Sequence, residues 1–203
     1  FHFYHSSYYV RPRSERYILT PQGVRQYHAV KNAGKEIRAE HKGNRLRTRY
    51  GEGEVYTTNL VVKLLCLIVN KAATLDPGGV GIEMEADKPN WYDALNGLPG
   101  LLGSSLSETL ELKRYALFLL RALEKLGLGE EEHIYAFEEM ADFILELKKV
   151  LQQETDPLAY WQKANDIKEH YRSRIRQGIA GEEHGVTVRE INEFLSLVVD
   201  RTT

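Results

Sequence analysis

The chain has 203 residues, enough for one domain or one large part of a domain. A formal net charge of -2 gives no electrostatic case for nucleic acid, which is bound through a basic surface. With 42% hydrophobic and 28% charged residues, the composition is that of an ordinary globular protein. One cysteine, Cys66, rules out a disulfide framework, and its apolar neighbours in sequence predict a small core residue. The longest apolar stretch, 60–69, contains Lys63 and is shorter than the roughly 20 apolar residues that a bilayer requires. No secretory signal is visible, so a cytoplasmic protein with no membrane partner is expected.

Residues 1–56 read as an extended, irregular segment. Tyr8-Tyr9-Val10, Tyr17-Ile18-Leu19-Thr20 and 24–30 are aromatic or β-branched runs, punctuated by Pro12, Pro21 and several glycines. Short hairpins or loops packed on something else are expected there. Basic residues gather between Arg11 and Arg49, while acids dominate 130–147, an asymmetry that leaves an anion site near the first segment open. From Thr58 the pattern becomes helical. Leu60 to Val69 is apolar almost all round and predicts a helix buried on most sides, with Thr57 or Thr58 as its cap. Glu52, Glu54, Tyr56, Thr57 and Asn59 form a polar cluster just before it, which either caps the helix or lines a cavity. Asp76-Pro77-Gly78-Gly79 ends the segment in a turn.

Residues 77–104 form a long connection rich in glycine and proline, a length that is often functional inside a domain. Helices follow. Ser105-x-x-Glu108 is a capping box leading to Gly127, and Glu130-Glu131-Glu132 favours a helix start with a run through Tyr135 to Leu151. Asp156-Pro157 opens a helix carrying Tyr160, Trp161 and Tyr171, read as core aromatics. Gly178 and Gly181 interrupt it, and Thr187-x-x-Glu190 is a second capping box. No exact internal repeat is found, but long helices with short turns predict antiparallel helical hairpins over 57–203. The seven histidines show no pair at metal-ligand spacing, no phosphate-loop or dinucleotide motif occurs, and no cofactor is expected. The chain begins at Phe1 and stops directly after an apolar helical pattern, so both ends read as cut.

The chemistry-bearing run is Lys88-Pro89-Asn90-Trp91-Tyr92-Asp93, within a loop that also holds Glu83, Glu85, Asp87 and Asn96. Carboxylates mixed with large aromatics suit a sugar site: ring faces pack on the C–H face of a pyranose, and acids and amides bond its hydroxyls. By composition alone, such a loop is more often a structural crossover with hydrogen-bonded caps. Asp93 is either a proton donor or the cap of the turn at 94–97, and Trp91 either a sugar platform or a loop anchor. Glu83, Glu85 and Asp87 alternate, so an extended strand sets them on one face, to orient hydroxyls and raise the pKa of Asp93 or to pair with the arginines of 38–49.

Trp91-Tyr92-Asp93-Ala94-Leu95-Asn96-Gly97 resembles the Asp-Trp-Asn-Asp-Gly-Met-Asn segment of the cellobiose phosphorylase family of inverting glycoside phosphorylases. Asn90, Tyr92 and Ala94 depart from that pattern. The resemblance implies a mainly α protein, part of an (α/α)6 toroid, that cleaves a glycosidic bond with inversion by phosphorolysis or hydrolysis. Asp93 stands at the family's general acid, two residues after the tryptophan. Trp91, Tyr92, Asn96, Asp87 and Glu85 would contact an oligosaccharide or disaccharide, with inorganic phosphate as co-substrate if the reaction is phosphorolysis. The rest of the toroid would come from a longer polypeptide or a second chain. The alternative is a non-catalytic carbohydrate-binding or structural helical domain.

Overall fold

The computed structural model describes residues 1–6, 8–26, 29–32, 44–83 and 104–203. Its elements, in chain order, are β1 (Tyr8–Val10), α1 (Arg13–Arg16), β2 (Tyr17–Thr20), β3 (Gly23–Gln26), β4 (Val30–Asn32), α2 (Leu60–Ala72), β5 (Ile82–Glu83), β6 (Ser104–Ser105), α3 (Leu106–Leu126), β7 (His133–Phe137), α4 (Glu138–Gln153), α5 (Pro157–Arg174), β8 (Glu183–Thr187) and α6 (Val188–Arg201). The protein is mainly α. Its strands form small antiparallel pairs: β1 with β4, β2 with β3, β5 with β6 and β7 with β8. Among the described residues, no helix is long and apolar enough to cross a membrane.

The core lies where α2, α3, α4, α5 and α6 meet. Val62, Leu65 and Val69 from α2 join Leu112, Ala116 and Leu119 of α3, Phe143, Ile144 and Leu147 of α4, and Ile191, Phe194 and Leu195 of α6 in one buried cluster. Helix α4 packs against α2, α5 and α6, and α3 against α2 and α6. The described residues of 1–56 hold short strands, a one-turn α1 and a turn at 49–51, and they are joined to the α5–β8 connection by backbone bonds. Ile179 N–H donates to Arg47 C=O at 3.0 Å, and Tyr50 N–H to Ile179 C=O at 2.9 Å. At Gly178 a Cβ would sit 2.4 Å from the Gly51 nitrogen, and the φ of +131° also demands glycine.

Several helix ends follow their expected signals. Ser105 Oγ accepts from Glu108 N–H at 3.2 Å, and Asp156 Oδ2 from Ala159 N–H at 2.8 Å with Pro157 in the first helical position. Thr187 and Glu190 close a full capping box, and Gly127 ends α3 in the left-handed region at φ +68°. Glu108 does not reach back to its cap; it pairs with Lys71 and ties the end of α2 to the start of α3.

Three expectations are corrected. The cap of α2 is Asn59, whose Oδ1 accepts from Val62 N–H at 2.9 Å; neither Thr57 nor Thr58 caps it. That helix is not buried on most sides, because Leu60 and Leu67 are about half exposed, and Cys66 is only partly buried. The segment expected to be helical from Glu130 is instead strand β7 as far as Phe137. Ile134 and Ala136 point inward, and the strand pairs with β8 from His133↔Thr187 to Phe137↔Glu183. Five paired residues give backbone bonds that a first helical turn at that place would forgo.

The same pairing reveals a near-repeat. Glu131-Glu132-His133 and Glu182-Glu183-His184 stand at equal distances before Glu139, Phe143 and before Glu190, Phe194. Both stretches form a strand running without a linker into a helix, and Met140, Phe143, Ile144 and Leu147 are buried like Ile191, Phe194, Leu195 and Val198. The residue equivalent to Thr187 is Ala136, and the N-cap of α4, Phe137, makes no side-chain cap bond, so Glu139 has no capping hydroxyl to meet. Glu139 is 1% exposed, and its Oε1 accepts from Ala180 N–H at 2.9 Å. Its Oε2 has no hydrogen-bond partner among the described residues. Glu139 stands in the first turn of α4, where acidic residues are favoured.

Thr187→Ala should lower stability by about 1 kcal/mol, the usual cost of losing an N-cap hydroxyl. Glu139→Ala should cost about 2 kcal/mol or more, because it leaves the Ala180 N–H unpaired and opens a void. Urea denaturation of both variants measures this; a Glu139→Ala loss smaller than that of Thr187→Ala would refute the account of Glu139.

Candidate functional site

Asp93, Trp91, Tyr92, Asn96, Asp87 and Glu85 all fall in 84–103, outside the described residues. The described residues on either side show how that connection is fastened. Its two ends pair as β5 and β6, with Ile82 opposite Ser105 and Glu83 opposite Ser104. Residues 83 and 104 are therefore neighbours across a sheet. At Gly81 a Cβ would sit 2.7 Å from Ser104 Cβ, so this close approach needs glycine.

Asp76 fastens the entry side. Its Oδ1 accepts from the N–H of Gly78 at 2.9 Å and of Val80 at 3.1 Å, and Oδ2 accepts from Gly81 N–H at 3.0 Å. Burial pushes the Asp76 pKa up, but the Ser104 hydroxyl and these backbone donors outweigh it and hold the carboxyl below its ordinary 3.8. Asp76 thus grips residues on both sides of the connection. Beneath it, Ile82 N–H donates to Thr109 Oγ1 at 3.1 Å, and Glu83 N–H to Thr74 C=O at 2.8 Å. Lys168, fully buried, donates from Nζ to Thr74 Oγ1 at 3.2 Å.

Glu83 is the last described residue before the connection and is the hub of a polar cluster. Tyr17 Oη donates to Glu83 Oε1 at 2.5 Å, and Trp161 Nε1 donates to Oε2 at 3.2 Å. Arg13 Nη2 lies 3.5 Å from Oε2, while its guanidinium sits 3.5 Å above the centre of the Trp161 ring. Burial, and then the bond to Glu83, push the Tyr17 hydroxyl well above the ordinary tyrosine range. Burial lowers the Arg13 pKa, and the Glu83 charge opposes that. Glu169 extends the cluster by accepting from Arg13 N–H and lying 3.7 Å from Arg16 Nη2.

Among the described residues the cation paired with Glu83 is Arg13; of the arginines expected, Arg38 lies outside the described residues. Arg13, Tyr17, Trp161 and Asp76 were not read from the sequence as part of one constellation. Only the Asp76-Pro77-Gly78-Gly79 turn signal pointed toward it. Of the core aromatics expected on α5, Tyr160 and Tyr171 are buried, whereas Trp161 is partly exposed and serves Arg13 and Glu83. In the polar cluster ahead of α2, Tyr56 is buried and its hydroxyl donates to Glu183 Oε1 at 2.8 Å. No group of His, Cys, Asp and Glu that could hold a metal occurs among the described residues. Comparison with known proteins finds no family model and no curated protein that matches the chain.

Glu83→Ala should destabilise the fold by about 3 kcal/mol, since it strands a largely buried Arg13 and two donors. Trp161→Phe, which removes one donor and keeps a ring, should cost about 1 kcal/mol. Chemical denaturation measures both, and equal effects would refute Glu83 as the hub. The Asp76 contribution has a defined pH dependence. Its folded pKa is depressed, so its stabilisation is present above the unfolded value and is lost as pH falls through the folded one. Asp76→Ala should therefore be less stable than wild type at pH 7, and the gap should close below about pH 4; a gap that persists at pH 2 would refute this.

Proposed function

We propose that the protein cleaves a glycosidic bond with inversion, as a glycoside phosphorylase or hydrolase, with Asp93 as general acid. One observation carries the reading: the segment Trp91-Tyr92-Asp93-Ala94-Leu95-Asn96-Gly97 stands on a helix-to-helix connection whose two ends are clamped by β5, β6 and Asp76. Catalysis depends on holding a proton donor within a fraction of an ångström of the leaving oxygen, and a clamped base suits that demand. The near-repeated strand–helix units, and helices packed as neighbours, support the further reading that the chain is part of an (α/α)6 toroid. The remainder of the toroid would come from a longer polypeptide or a second chain, in the cytoplasm.

In this reading Asp93 protonates the glycosidic oxygen as the bond from that oxygen to the anomeric carbon breaks. Phosphate or an activated water attacks the anomeric carbon from the opposite face, which inverts its configuration. Trp91 and Tyr92 hold the sugar ring by its C–H face, and Asn96, Asp87 and Glu85 bond its hydroxyls. Glu83, by contrast, is assigned to the scaffold, because both of its oxygens are engaged by Tyr17, Trp161 and Arg13.

The test is product release from a panel of disaccharides, with and without inorganic phosphate, followed by NMR of the anomer first formed. Asp93→Asn should lower the rate by about 10²–10⁴-fold while disaccharide affinity is kept. Absence of product from every disaccharide under both conditions would overturn the proposal, as would an unchanged rate in Asp93→Asn.

A further inference from the structure

Helix α3 carries apolar residues on more than its buried side. Leu112, Ala116, Leu119 and Leu123 face the core, yet Leu110 is 59% exposed and Phe118 56%. Spacing sorts the exposed residues onto two flanks. Leu106, Leu110 and Leu117, at i, i+4 and i+11, follow one side of the helix, and Tyr115, Phe118 and Leu126, at i, i+3 and i+11, follow the other. Between the flanks, opposite the core, run Ser107, Arg114 and Arg121 at i, i+7 and i+14, with Lys125 four residues on.

The second flank lies beside α2. Glu108, two turns before Tyr115 on the same side of α3, pairs with Lys71. On α2, Lys71 continues the line of Leu60, Leu64 and Leu67 at i, i+4, i+7 and i+11, and Leu67 is 57% exposed. The two helices pack on one another, with Val62 and Leu65 of α2 and Leu112 and Ala116 of α3 in the same core. Their outer apolar lines therefore border one groove, with Leu60, Leu64 and Leu67 on one bank and Tyr115 and Phe118 on the other. An apolar surface continuous over two elements marks an interaction site, and a groove between two packed helices has the shape that receives a third.

Charge selects the occupant. Lys71 is taken by Glu108 and Arg114 by Glu111, and Lys63 donates to His2 C=O at 2.6 Å. Arg121 and Lys125 have no partner among the described residues, and the one acid next to them, Glu124, is likewise unpaired. A second copy would set this cationic end against itself, or against Glu108 and Glu111, whose charges are already met. A bilayer surface takes up a helix whose cations lie opposite its apolar stripe; here they stand between two apolar flanks and would be drawn into the hydrocarbon. A helix with acids along one edge of its apolar stripe meets both features. Its apolar side chains fill the groove, and its carboxylates reach Arg121 and Lys125 at the rim. We propose that the α2–α3 groove docks such an acidic amphipathic helix. That this helix belongs to the remainder of the toroid rests on the reading above; the groove and its charge do not.

The probes are synthetic peptides of about 18 residues, long enough at 1.5 Å per residue to span α2. One places leucines at helical spacing with glutamates along one edge, the second has lysine for each glutamate, and the third is a scramble of the first. Fluorescence anisotropy of the labelled peptides at low salt measures binding. The acidic peptide should bind saturably, and the other two about tenfold more weakly or worse. Phe118→Ser and Leu67→Ser, at exposed positions that spare the fold, should each weaken its binding about tenfold, and Leu19→Ser, on the β2–β3 hairpin, should leave it unchanged. Arg121→Glu combined with Lys125→Glu should transfer the preference to the lysine peptide. No saturable binding of the acidic peptide, equal binding of either control peptide, or binding unchanged in both groove variants would overturn the proposal. So would a wild-type dimer in sedimentation velocity that Phe118→Ser dissociates, which gives the groove to a second copy, or retention on phosphatidylserine vesicles that Phe118→Ser abolishes, which gives it to lipid. The two proposals fail separately: disaccharide turnover without peptide binding removes the docking groove alone, and peptide binding without turnover removes glycoside cleavage alone.

Discussion

The antiparallel pairing of residues 133–137 with 183–187 organises the helical part of the molecule. Each strand passes without a linker into a helix, β7 into α4 and β8 into α6. Backbone bonds across the ribbon therefore set where both helices begin and how each is rotated about its axis. That rotation directs Met140, Phe143 and Ile144 inward from one helix and Ile191, Phe194 and Leu195 inward from the other. Side-chain burial then does the rest, since these are the residues against which α2, α3 and α5 close the core. A slip of one residue in the ribbon would turn both helices' apolar stripes away from each other, which makes the register costly to change.

The connection from 84 to 103 depends on a smaller version of the same device. Two residue pairs in β5 and β6 are too few to be stable alone, so the junction is held by side chains. Asp76 satisfies three backbone donors on one side and Ser104 on the other. Glu83 draws Tyr17, Trp161 and Arg13 onto one carboxylate from segments far apart in the chain. A buried ion pair is weak evidence for net stability, because desolvation offsets its attraction. Its value here lies in geometry: each partner's loss leaves the others unpaired, so the junction has one favoured arrangement.

Local signals were read well where the chemistry is local. Asp156-Pro157, Thr187-x-x-Glu190 and Gly127 each carry a helix terminus within four residues, and all three behave so. Strand β7 was misread because three glutamates imitate a helix start, and its inward residues, Ile134 and Ala136, are too few to show alternation. Only a partner fifty residues away makes it a strand, and pattern within a window does not see that. Asn59 displaced its threonine neighbours as cap of α2 by the same logic at shorter range. All three side chains have the chemistry, and the entry of the chain past Phe1 and Thr58, joined at 3.0 Å, selects one. The constellation on Glu83 was hidden for a different reason. Arg13, Tyr17 and Trp161 share no spacing with Glu83, so nothing but the folded chain brings them together.

The division of polar groups at the junction bears on where chemistry can reside. Both oxygens of Glu83 are already engaged, by a tyrosine, an indole and a guanidinium, so neither is open to a substrate. Glu83 is thereby removed from the set of acids open to the proton-donor role, and so is Asp76, whose pKa lies below the ordinary value. Glu169 is committed to Arg13 and Arg16. On the glycoside reading proposed above, a proton donor would then be drawn from the carboxyls of the connection itself, Glu85, Asp87 and Asp93, of which the resemblance names Asp93.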